Sequence, residues 1–207
     1  RSLKQRNSAL KLHDLAQTKA YDPLLVEHGE KLNFLRKNLI DSVKEIYDSL
    51  VKNLEAENKR AEIFLNLDIY LKPGFDDHKG LLWDLNNTNS IDLKRKVTTK
   101  GPHKSDVIFE SKGSLIKDIF SRGEQKLLSI LWSLSQNIYL GRAFNLNPIL
   151  LLDDLSSELD SEMLECFLPT FKYIENRFIF SNIVDLFDSK IDVSDKTFKK
   201  FHVEQLR

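Results

Sequence analysis

The sequence predicts an α/β fold in which a mainly helical first part precedes a part built from helices and buried strands. Apolar residues recur at steps of three, four or seven between Pro23 and Arg60, which indicates one face of a long helix. After residue 114, helical segments alternate with short apolar runs, a pattern typical of a sheet with parallel strands. The 207 residues are enough for one or two domains, and we divide them into a helical arm subdomain, 1–100, and a second part, 101–207.

The helical arm is expected to contain the long helix at 23–60. Its apolar stripe is predicted to be core between packed helices rather than a dimerising coiled coil, because the repeat is short and irregular. The stripe consists of Leu25, Leu32, Leu35, Leu39, Val43, Ile46, Leu50 and Leu54. A partly alternating run predicts a strand near 63–71, which Pro73-Gly74 ends, and 79–96 predicts a weaker helix.

The second part begins at Gly101-Pro102, a pair that interrupts regular secondary structure. Its first two strands are predicted to form a hairpin about Lys112-Gly113. The predicted helices are at 124–144 and at 161–173, the latter interrupted near Pro169. The predicted strands are at 107–109, 115–116, 148–152, 177–180 and, as a final edge strand, 198–203.

Composition excludes some classes of protein. Charged residues make up 30% of the chain and the formal net charge is zero, so the protein is not uniformly basic. The single cysteine, Cys166, cannot form an internal disulfide, which favours a reducing compartment and a cytoplasmic location. No apolar run is long enough to span a bilayer, and no secretory signal is visible. The chain begins at Arg1 and its only methionine is Met163, so we expect its true N-terminus to be missing, unless a longer precursor is processed.

The strongest chemical signal is the apolar run 149–152 that leads into Asp153 and Asp154. Acids at the carboxyl end of a parallel strand face the ligand in open α/β sheets. Mg2+ prefers such oxygen ligands, and neighbouring strand residues point to opposite sides of the sheet. One carboxylate would therefore serve the metal while the other orients or deprotonates water. The alternative is a buried strand that simply ends in a polar loop.

A second signal lies upstream, where Ser121 and Gly123 stand at the start of the helix predicted at 124–144. The exposed N–H groups and the dipole at a helix start attract anions. Ser121 is also a good N-cap residue, so a plain capped helix is a sufficient explanation of this segment on its own. The combination with the acid pair and with the following Ser-Glu-Leu-Asp, 157–160, favours a nucleotide phosphate site.

These segments resemble the signature motif, Walker B motif and D-loop of ABC-type ATPases, and more closely those of the RecF family in its SMC-like branch. The matching segments are 121–128 (SRGEQKLL), 151–160 (LLDDLSSELD), 101–106 (GPHKSD) and, loosely, 3–7 (LKQRN). The resemblance covers essentially the whole chain but only the C-terminal part of the family's length. It implies that 101–207 is the C-terminal lobe of an ABC-ATPase head, a parallel-strand sheet with helices.

The resemblance also implies roles for individual residues. Asp153 would be the Mg2+-associated acid, Asp154 would take the place of the catalytic carboxylate, and Asp160 would lie at a dimer seam. The residues implied to contact ATP held by the other subunit are Ser121, Gly123 and Glu124. Asn182 stands near the position of the switch histidine of ABC ATPases, which argues against a histidine-driven hydrolysis step. No glycine is followed by lysine, so the chain has no P-loop, which needs Gly-x-x-x-x-Gly-Lys-Ser/Thr.

By the same resemblance, the complete protein is expected to be a weak ATPase in DNA replication, recombinational gap repair and SOS induction, whereas this chain alone is not expected to bind ATP usefully. The implied cofactors are ATP and Mg2+. The implied partners are single-stranded or gapped duplex DNA, a second copy with ATP, and RecR- and RecO-type mediator proteins, with no membrane. The alternatives are the nucleotide-binding subunit of an ABC transporter and a non-catalytic binding fragment.

Nucleic-acid binding has one candidate segment of its own. A basic run contains Lys94, Arg95, Lys96, Lys100 and Lys104. Such a run either neutralises nucleic-acid phosphates or is a solvated face, and charge alone does not separate the two. His103 lies within it, and a turn residue explains it more simply than a metal ligand because no second ligand stands at metal spacing.

Overall fold

The computed structural model describes residues 1–153, 159, 161–167, 170 and 177–180. The helices in this part are α1 (Ser2–Lys11), α2 (Leu15–Ala20), α3 (Asp22–Glu57), α4 (Gly80–Arg95), α5 (Ile116–Ile119), α6 (Arg122–Phe144) and α7 (Ser161–Phe167). The strands are β1 (Asp68–Lys72), β2 (Asp106–Ser111), β3 (Ser114–Leu115), β4 (Leu150–Asp153) and β5 (Arg177–Phe180). The mixture of helices and strands agrees with the predicted α/β class. Across these described ranges, no helix is long and apolar enough to cross a membrane.

The chain folds as two compact units, each made of two sequence segments. The first unit comprises residues 1–44 and 67–115, and the second unit comprises 45–66 and 116–207. Helix α3 contributes residues to both. The division into an arm subdomain, 1–100, and an ATPase part, 101–207, concerns functional parts of the chain and stays a prediction.

The sheet of the first unit is antiparallel, in the order β1-β2-β3. Strand β1 ends with Lys72 opposite Asp106 of β2. The β2–β3 hairpin turns at Lys112 and Gly113, whose φ angles are 51° and 79°. Two successive positive φ angles match the twist of a tight hairpin, so the hairpin predicted about Lys112-Gly113 is confirmed.

The apolar stripe of α3 is buried at its ends but not in its middle. Among the residues predicted to be core, the buried ones are Leu25, Val43, Leu50 and Leu54. The exposed ones are Leu32 (40%), Leu35 (53%) and Leu39 (43%). The prediction that the stripe is core is therefore wrong for these three leucines.

Small and polar residues occupy the buried face of α3 where these leucines turn outward. Gly29 is buried, and a Cβ at this position would stand only 2.7 Å from Leu81 of α4. Asn33 is also buried, and its side-chain amide donates to the carboxylate of Asp77 at 3.2 Å. The close approach at Gly29 and the hydrogen bond of Asn33 therefore act together with the packing of Leu25 in burying this face of α3.

The strand predicted near 63–71 begins later than expected, because a 3-10 helix occupies Lys59–Phe64. Asn58 caps this helix, since its side-chain oxygen accepts a hydrogen bond from the N–H of Arg60 at 3.0 Å. Phe64 is fully buried, and its carbonyl oxygen accepts a hydrogen bond from the hydroxyl of Tyr47 at 3.0 Å. The cap and the buried aromatic ring together outweigh the apparent alternation of apolar residues.

The second unit packs the later part of α3 against α6. Tyr47 of α3 and Trp132 of α6 meet edge to face, with ring centroids 6.2 Å apart. Phe64 and Phe120 make a similar contact at 5.6 Å. The aliphatic side chains that α6 buries are Leu127, Leu128, Ile130, Leu131 and Leu134. The helix predicted at 124–144 is thus confirmed as α6, which begins two residues earlier.

Strands β4 and β5 pair in parallel, with Leu151 opposite Phe178. The larger parallel-strand sheet of an ATPase lobe needs more strands than these two, and it stays a prediction. The strand predicted at 198–203 lies outside the described residues, as does nearly all of the 161–173 segment beyond α7.

Candidate functional site

The start of α6 carries the residues predicted to contact a nucleotide phosphate. Ser121 is the N-cap residue, and its hydroxyl accepts a hydrogen bond from the N–H of Glu124 at 3.3 Å. The Glu124 carboxylate accepts in return from the N–H of Ser121 at 2.6 Å. These two contacts form a capping box, which satisfies two donors of the first turn reciprocally. Ser121 therefore has the structural role that the capping alternative assigns to it.

The capping box leaves other donors free at the same helix start. The first hydrogen bond along α6 runs from the N–H of Gln125 to the carbonyl oxygen of Ser121, at 2.9 Å. The N–H groups of Arg122 and Gly123 precede this bond and have no acceptor within the helix. The exposed Ser121 hydroxyl also keeps its own proton for donation, because it acts as the acceptor in the box. These donors lie at the positive end of a helix of 23 residues, which suits an anion.

Glu124 sets a condition on any anion that binds there. Its negative charge in the first turn stabilises the helix dipole but repels a phosphate group. Arg122 is exposed in the same turn and supplies a compensating positive charge. This helix start is therefore expected to bind phosphate weakly unless further cations contribute.

The predicted acids are only partly within the described residues. Asp153 is the last residue of β4, as the sequence predicts, but its side chain is not among those described. Asp154, Asp160 and Asn182 also lie outside the described part. Within that part, no group of His, Cys, Asp or Glu side chains is arranged to hold a metal ion. The roles of Asp153, Asp154 and Asp160 stay predictions.

The first unit contains a buried ion cluster that the sequence analysis does not foresee. The guanidinium of Arg6 is fully buried and donates to the carboxylate of Asp22 at 2.7 Å and to that of Asp92 at 2.8 Å. It also donates to the hydroxyl of Thr98 at 2.8 Å. The one available signal was the loose family match at 3–7, which contains Arg6 but names none of its partners.

The same cluster holds the beginning of the loop that follows α4. The second carboxylate oxygen of Asp92 accepts from the N–H and the hydroxyl of Thr99, at 2.9 and 2.6 Å. The side-chain oxygen of Asn7 accepts from the N–H and the hydroxyl of Thr98, at 2.9 and 2.7 Å. With the bond from Arg6 to Thr98, five hydrogen bonds to residues of α1 and α4 therefore fix these two threonines.

The segment that matches the family's GPHKSD stretch continues this loop and is held from both sides. Arg36 of α3 donates to the carbonyl oxygen of Pro102 and to the hydroxyl of Ser105, both at 2.7 Å. The Nε2 of His103 donates to the carbonyl oxygen of Thr98 at 3.0 Å, since a carbonyl only accepts. His103 is thus a turn residue, as the simpler interpretation predicts.

Two glycine-containing turns meet at this loop. The N–H of Gly101 donates to the carbonyl oxygen of Gly74 at 3.1 Å. A Cβ at Gly74 would stand 2.5 Å from the oxygen of Gly101 and 2.6 Å from the carbonyl carbon of Lys104. Gly74 also has a φ of +77°, so both the space and the backbone favour glycine. The end of β1 and the loop after α4 therefore approach each other as closely as two backbones allow.

The chain is similar to curated proteins named DNA replication and repair protein RecF. It is 30% identical over 184 residues to RecF of Coxiella burnetii, and this aligned region covers 88% of the present chain and 50% of that RecF. It is 34% identical over 165 residues to RecF of Acinetobacter baumannii, and this aligned region covers 77% of the present chain and 43% of that RecF. No protein-family model matches the chain.

Solved structures give the same result at the level of the fold. Two structures of the recombination mediator protein RecF in the RecFOR pathway, one with ATPrS and one with ATP, match with a TM-score of 0.67 at 23% identity. Each match covers 89% of this chain and 51% of the solved chain. The similarity to RecF predicted from the motifs is confirmed, and the chain spans about half the length of the curated relatives it matches.

Proposed function

We propose that this RecF-like chain is the part of a DNA replication and repair ATPase that closes on the phosphates of ATP held by a second subunit. The observation that carries the proposal is the start of α6, where Arg122 and Gly123 offer N–H donors beside the Ser121 hydroxyl. The sequence similarity to RecF supports ATP as the ligand, because solved RecF structures bear ATP or ATPrS in their names. The complete protein would be a weak ATPase of the cytoplasm.

ATP would control assembly in this proposal. The contacts between α6 of one copy and the γ-phosphate held by the other exist only in the dimer, so ATP favours the dimer by linkage. The dimer would bind single-stranded or gapped duplex DNA. It would act with RecR- and RecO-type mediators in recombinational gap repair and in SOS induction.

Mg2+ would be bound near the end of β4. Asp153 ends a strand with a parallel neighbour, the position at which acids face ligands in α/β sheets. Asp154 would orient or deprotonate the attacking water, and Asp160 would lie at the dimer seam. An aspartate is one methylene shorter than the glutamate that many ABC ATPases use, and Asn182 would replace their switch histidine, so hydrolysis is expected to be slow.

The assembly step is tested by replacing Ser121 with arginine, with this chain joined to a P-loop-bearing N-terminal half. Sedimentation with and without ATP and Mg2+ should show that Ser121→Arg abolishes ATP-dependent dimerisation while each monomer still binds ATP. Ser129→Arg is the matched control, because Ser129 is exposed two turns along the same helix. If Ser121→Arg dimerises with ATP as well as Ser129→Arg does, α6 does not close on the nucleotide.

The alternative role of Ser121 as a cap alone makes a different forecast. A lost cap costs about 1 kcal/mol of stability and leaves ATP-dependent assembly unchanged. Ser121→Ala separates the two roles, because it removes the capping oxygen without filling the phosphate space. Under the proposed function, Ser121→Ala should weaken dimerisation less than Ser121→Arg.

The acid assignments have their own test in the same joined protein. Asp154→Asn should slow hydrolysis and spare ATP binding, because asparagine has nearly the same size but accepts no proton from water. Asp153→Asn should instead weaken the Mg2+-dependent part of ATP binding. If both variants hydrolyse ATP at the original rate, the roles assigned to Asp153 and Asp154 are wrong.

The present chain by itself should not bind ATP with useful affinity. Its sequence contains no Gly-Lys pair, so it offers no phosphate cradle of the P-loop type. Calorimetric titration of the 207 residues with ATP and Mg2+ measures this directly. Tight binding with one ATP per chain would contradict the division of the site between two halves.

A further inference from the structure

An open groove of about 560 Å³ lies in the first unit, between the end of β1, the start of α4 and the loop that follows α4. Three lysines line it, namely Lys72, Lys100 and Lys104. Lys72 ends β1, whereas Lys100 and Lys104 belong to the loop that follows α4, and the contact between Gly74 and Gly101 brings these two segments together. The groove is therefore formed by two backbone segments that contact each other directly.

The three lysines are available to an anion. Within the described residues, no carboxylate lies at ion-pair distance from Lys72, Lys100 or Lys104. Two acids also line the groove, but both are engaged by backbone N–H groups. Asp84 is buried and accepts from the N–H of Asp76 at 2.6 Å, and Asp76 in turn accepts from the N–H groups of its own turn. The three lysines and two aspartates give the lining a net charge of +1.

An exposed indole stands in the same groove. Trp83 lines it and is 42% exposed, so part of its ring is accessible from solvent. The ammonium of Lys79 lies 4.1 Å from the centre of the ring and holds it by a cation–π contact. A positively charged groove with an aromatic platform is the arrangement by which proteins bind single strands, phosphates on the cations and a base on the ring.

We propose that this groove binds a single strand of DNA, with phosphates on Lys72, Lys100 and Lys104 and one base stacked on Trp83. A duplex keeps its bases stacked on each other, so only an unpaired base reaches the indole. The choice of DNA over other anionic strands rests on the proposed function. The binding itself needs no ATP, because every residue involved belongs to the first unit.

The test uses the whole 207-residue chain and its own fluorescence. The chain has two tryptophans, so Trp132→Phe leaves Trp83 as the single reporter. An oligothymidylate of about 8 to 12 nucleotides, added without ATP, should quench the emission of Trp83 in a saturable manner. Unchanged emission while a labelled oligonucleotide binds would show that the base does not stack on Trp83 and would overturn the proposal.

Matched charge variants locate the phosphates. Lys104→Gln should weaken binding about 5- to 10-fold at about 50 mM salt and reduce the slope of log K against log salt by about 0.7. Lys94→Gln is the control, since Lys94 is an exposed lysine of the same basic run that does not line the groove. It should change the affinity less than 2-fold. If the two variants lose equal affinity for the oligonucleotide, the groove makes no specific contribution and the proposal is wrong.

Competitors identify the ligand. A duplex of the same length and thymidine monophosphate should each compete at least tenfold less well than the single strand. A duplex that quenches Trp83 equally would exclude stacking of an unpaired base, and a monophosphate that competes equally would make the groove a nucleotide site. Because these measurements contain no ATP and no second subunit, their failure leaves the ATP-dependent assembly untouched, and failure of the Ser121 test leaves the groove untouched.

Discussion

Replacing Arg6 with methionine is expected to destabilise the first unit by about 3 to 5 kcal/mol. Arg6 is fully buried, and its two carboxylate partners, Asp22 and Asp92, have side chains that are 5% and 0% exposed. Methionine has a similar length, so the change leaves the space filled but strands two negative charges away from water. Since a domain of this size is stable by only about 5 to 15 kcal/mol, the loss would be a large part of the total.

The measurement is urea unfolding followed by the emission of Trp83, in the Trp132→Phe background so that the signal comes from the first unit. Lys37→Met is the matched control, because Lys37 also pairs with an acid of the first unit, Asp77, but both side chains are 40% exposed. An exposed pair is worth about 0 to 1 kcal/mol. If Arg6→Met costs no more than Lys37→Met, the buried cluster does not stabilise the fold in the way we argue.

A second variant separates the stranded charges from the lost contacts. Adding Asp22→Asn to Arg6→Met removes one unpaired carboxylate and should return part of the lost free energy. Asp92 is the less suitable choice, because it also accepts from Thr99 and its replacement would loosen the loop. A double variant less stable than Arg6→Met alone would contradict the explanation by unpaired charge.

Three further predictions concern single contacts. Gly74→Ala should reduce the free energy of unfolding by about 3 kcal/mol, because its Cβ would meet backbone at 2.5 Å. Gly113→Ala is the control, since Gly113 has a similar φ but nothing within 4 Å, and it should cost about 1 kcal/mol. Thermal unfolding of both variants measures the difference. Tyr47→Phe should cost about 1 to 3 kcal/mol, since it leaves the buried carbonyl of Phe64 without its hydroxyl donor, and urea unfolding measures this. A hydrogen bond from the N–H of Lys79 lowers the pKa of Asp76 below its ordinary value of 3.8. The ionised Asp76 carboxylate therefore stabilises the fold above pH 3.8, and this stabilisation is lost as the pH falls through the lowered pKa. Asp76→Asn should flatten the acid limb of the curve of unfolding free energy against pH.

Features set by local chemistry could be predicted from the sequence. The Lys112-Gly113 hairpin follows from two residues that tolerate positive φ between short strands. The start of α6 follows from Ser121 and Glu124, which form a capping box within four residues of each other. In both cases the residues that decide the structure are neighbours along the chain, so the pattern contains the whole cause.

Features set by distant contacts could not be predicted in the same way. Arg6 binds partners 16, 86 and 92 residues away, and nothing at Asp22, Asp92 or Thr98 indicates an arginine partner. The exposed leucines of α3 have the same cause, since the burial of Gly29 depends on Leu81 of another helix. The groove arises from the meeting of two turns, which the basic run alone does not reveal.

The start of α6 explains why the proposed site would depend on assembly. Glu124 stabilises the helix by accepting from Ser121, and the same carboxylate opposes a phosphate that approaches the N–H groups of Arg122 and Gly123. A phosphate alone therefore gains little from the helix start. ATP that arrives on a P-loop with Mg2+ has much of its charge neutralised, which removes most of that repulsion. In the proposed assembly, the capping box would thus favour a nucleotide already held by a partner over a free one. Glu124→Gln, which keeps the box but removes the charge, should weaken this preference for the assembled state.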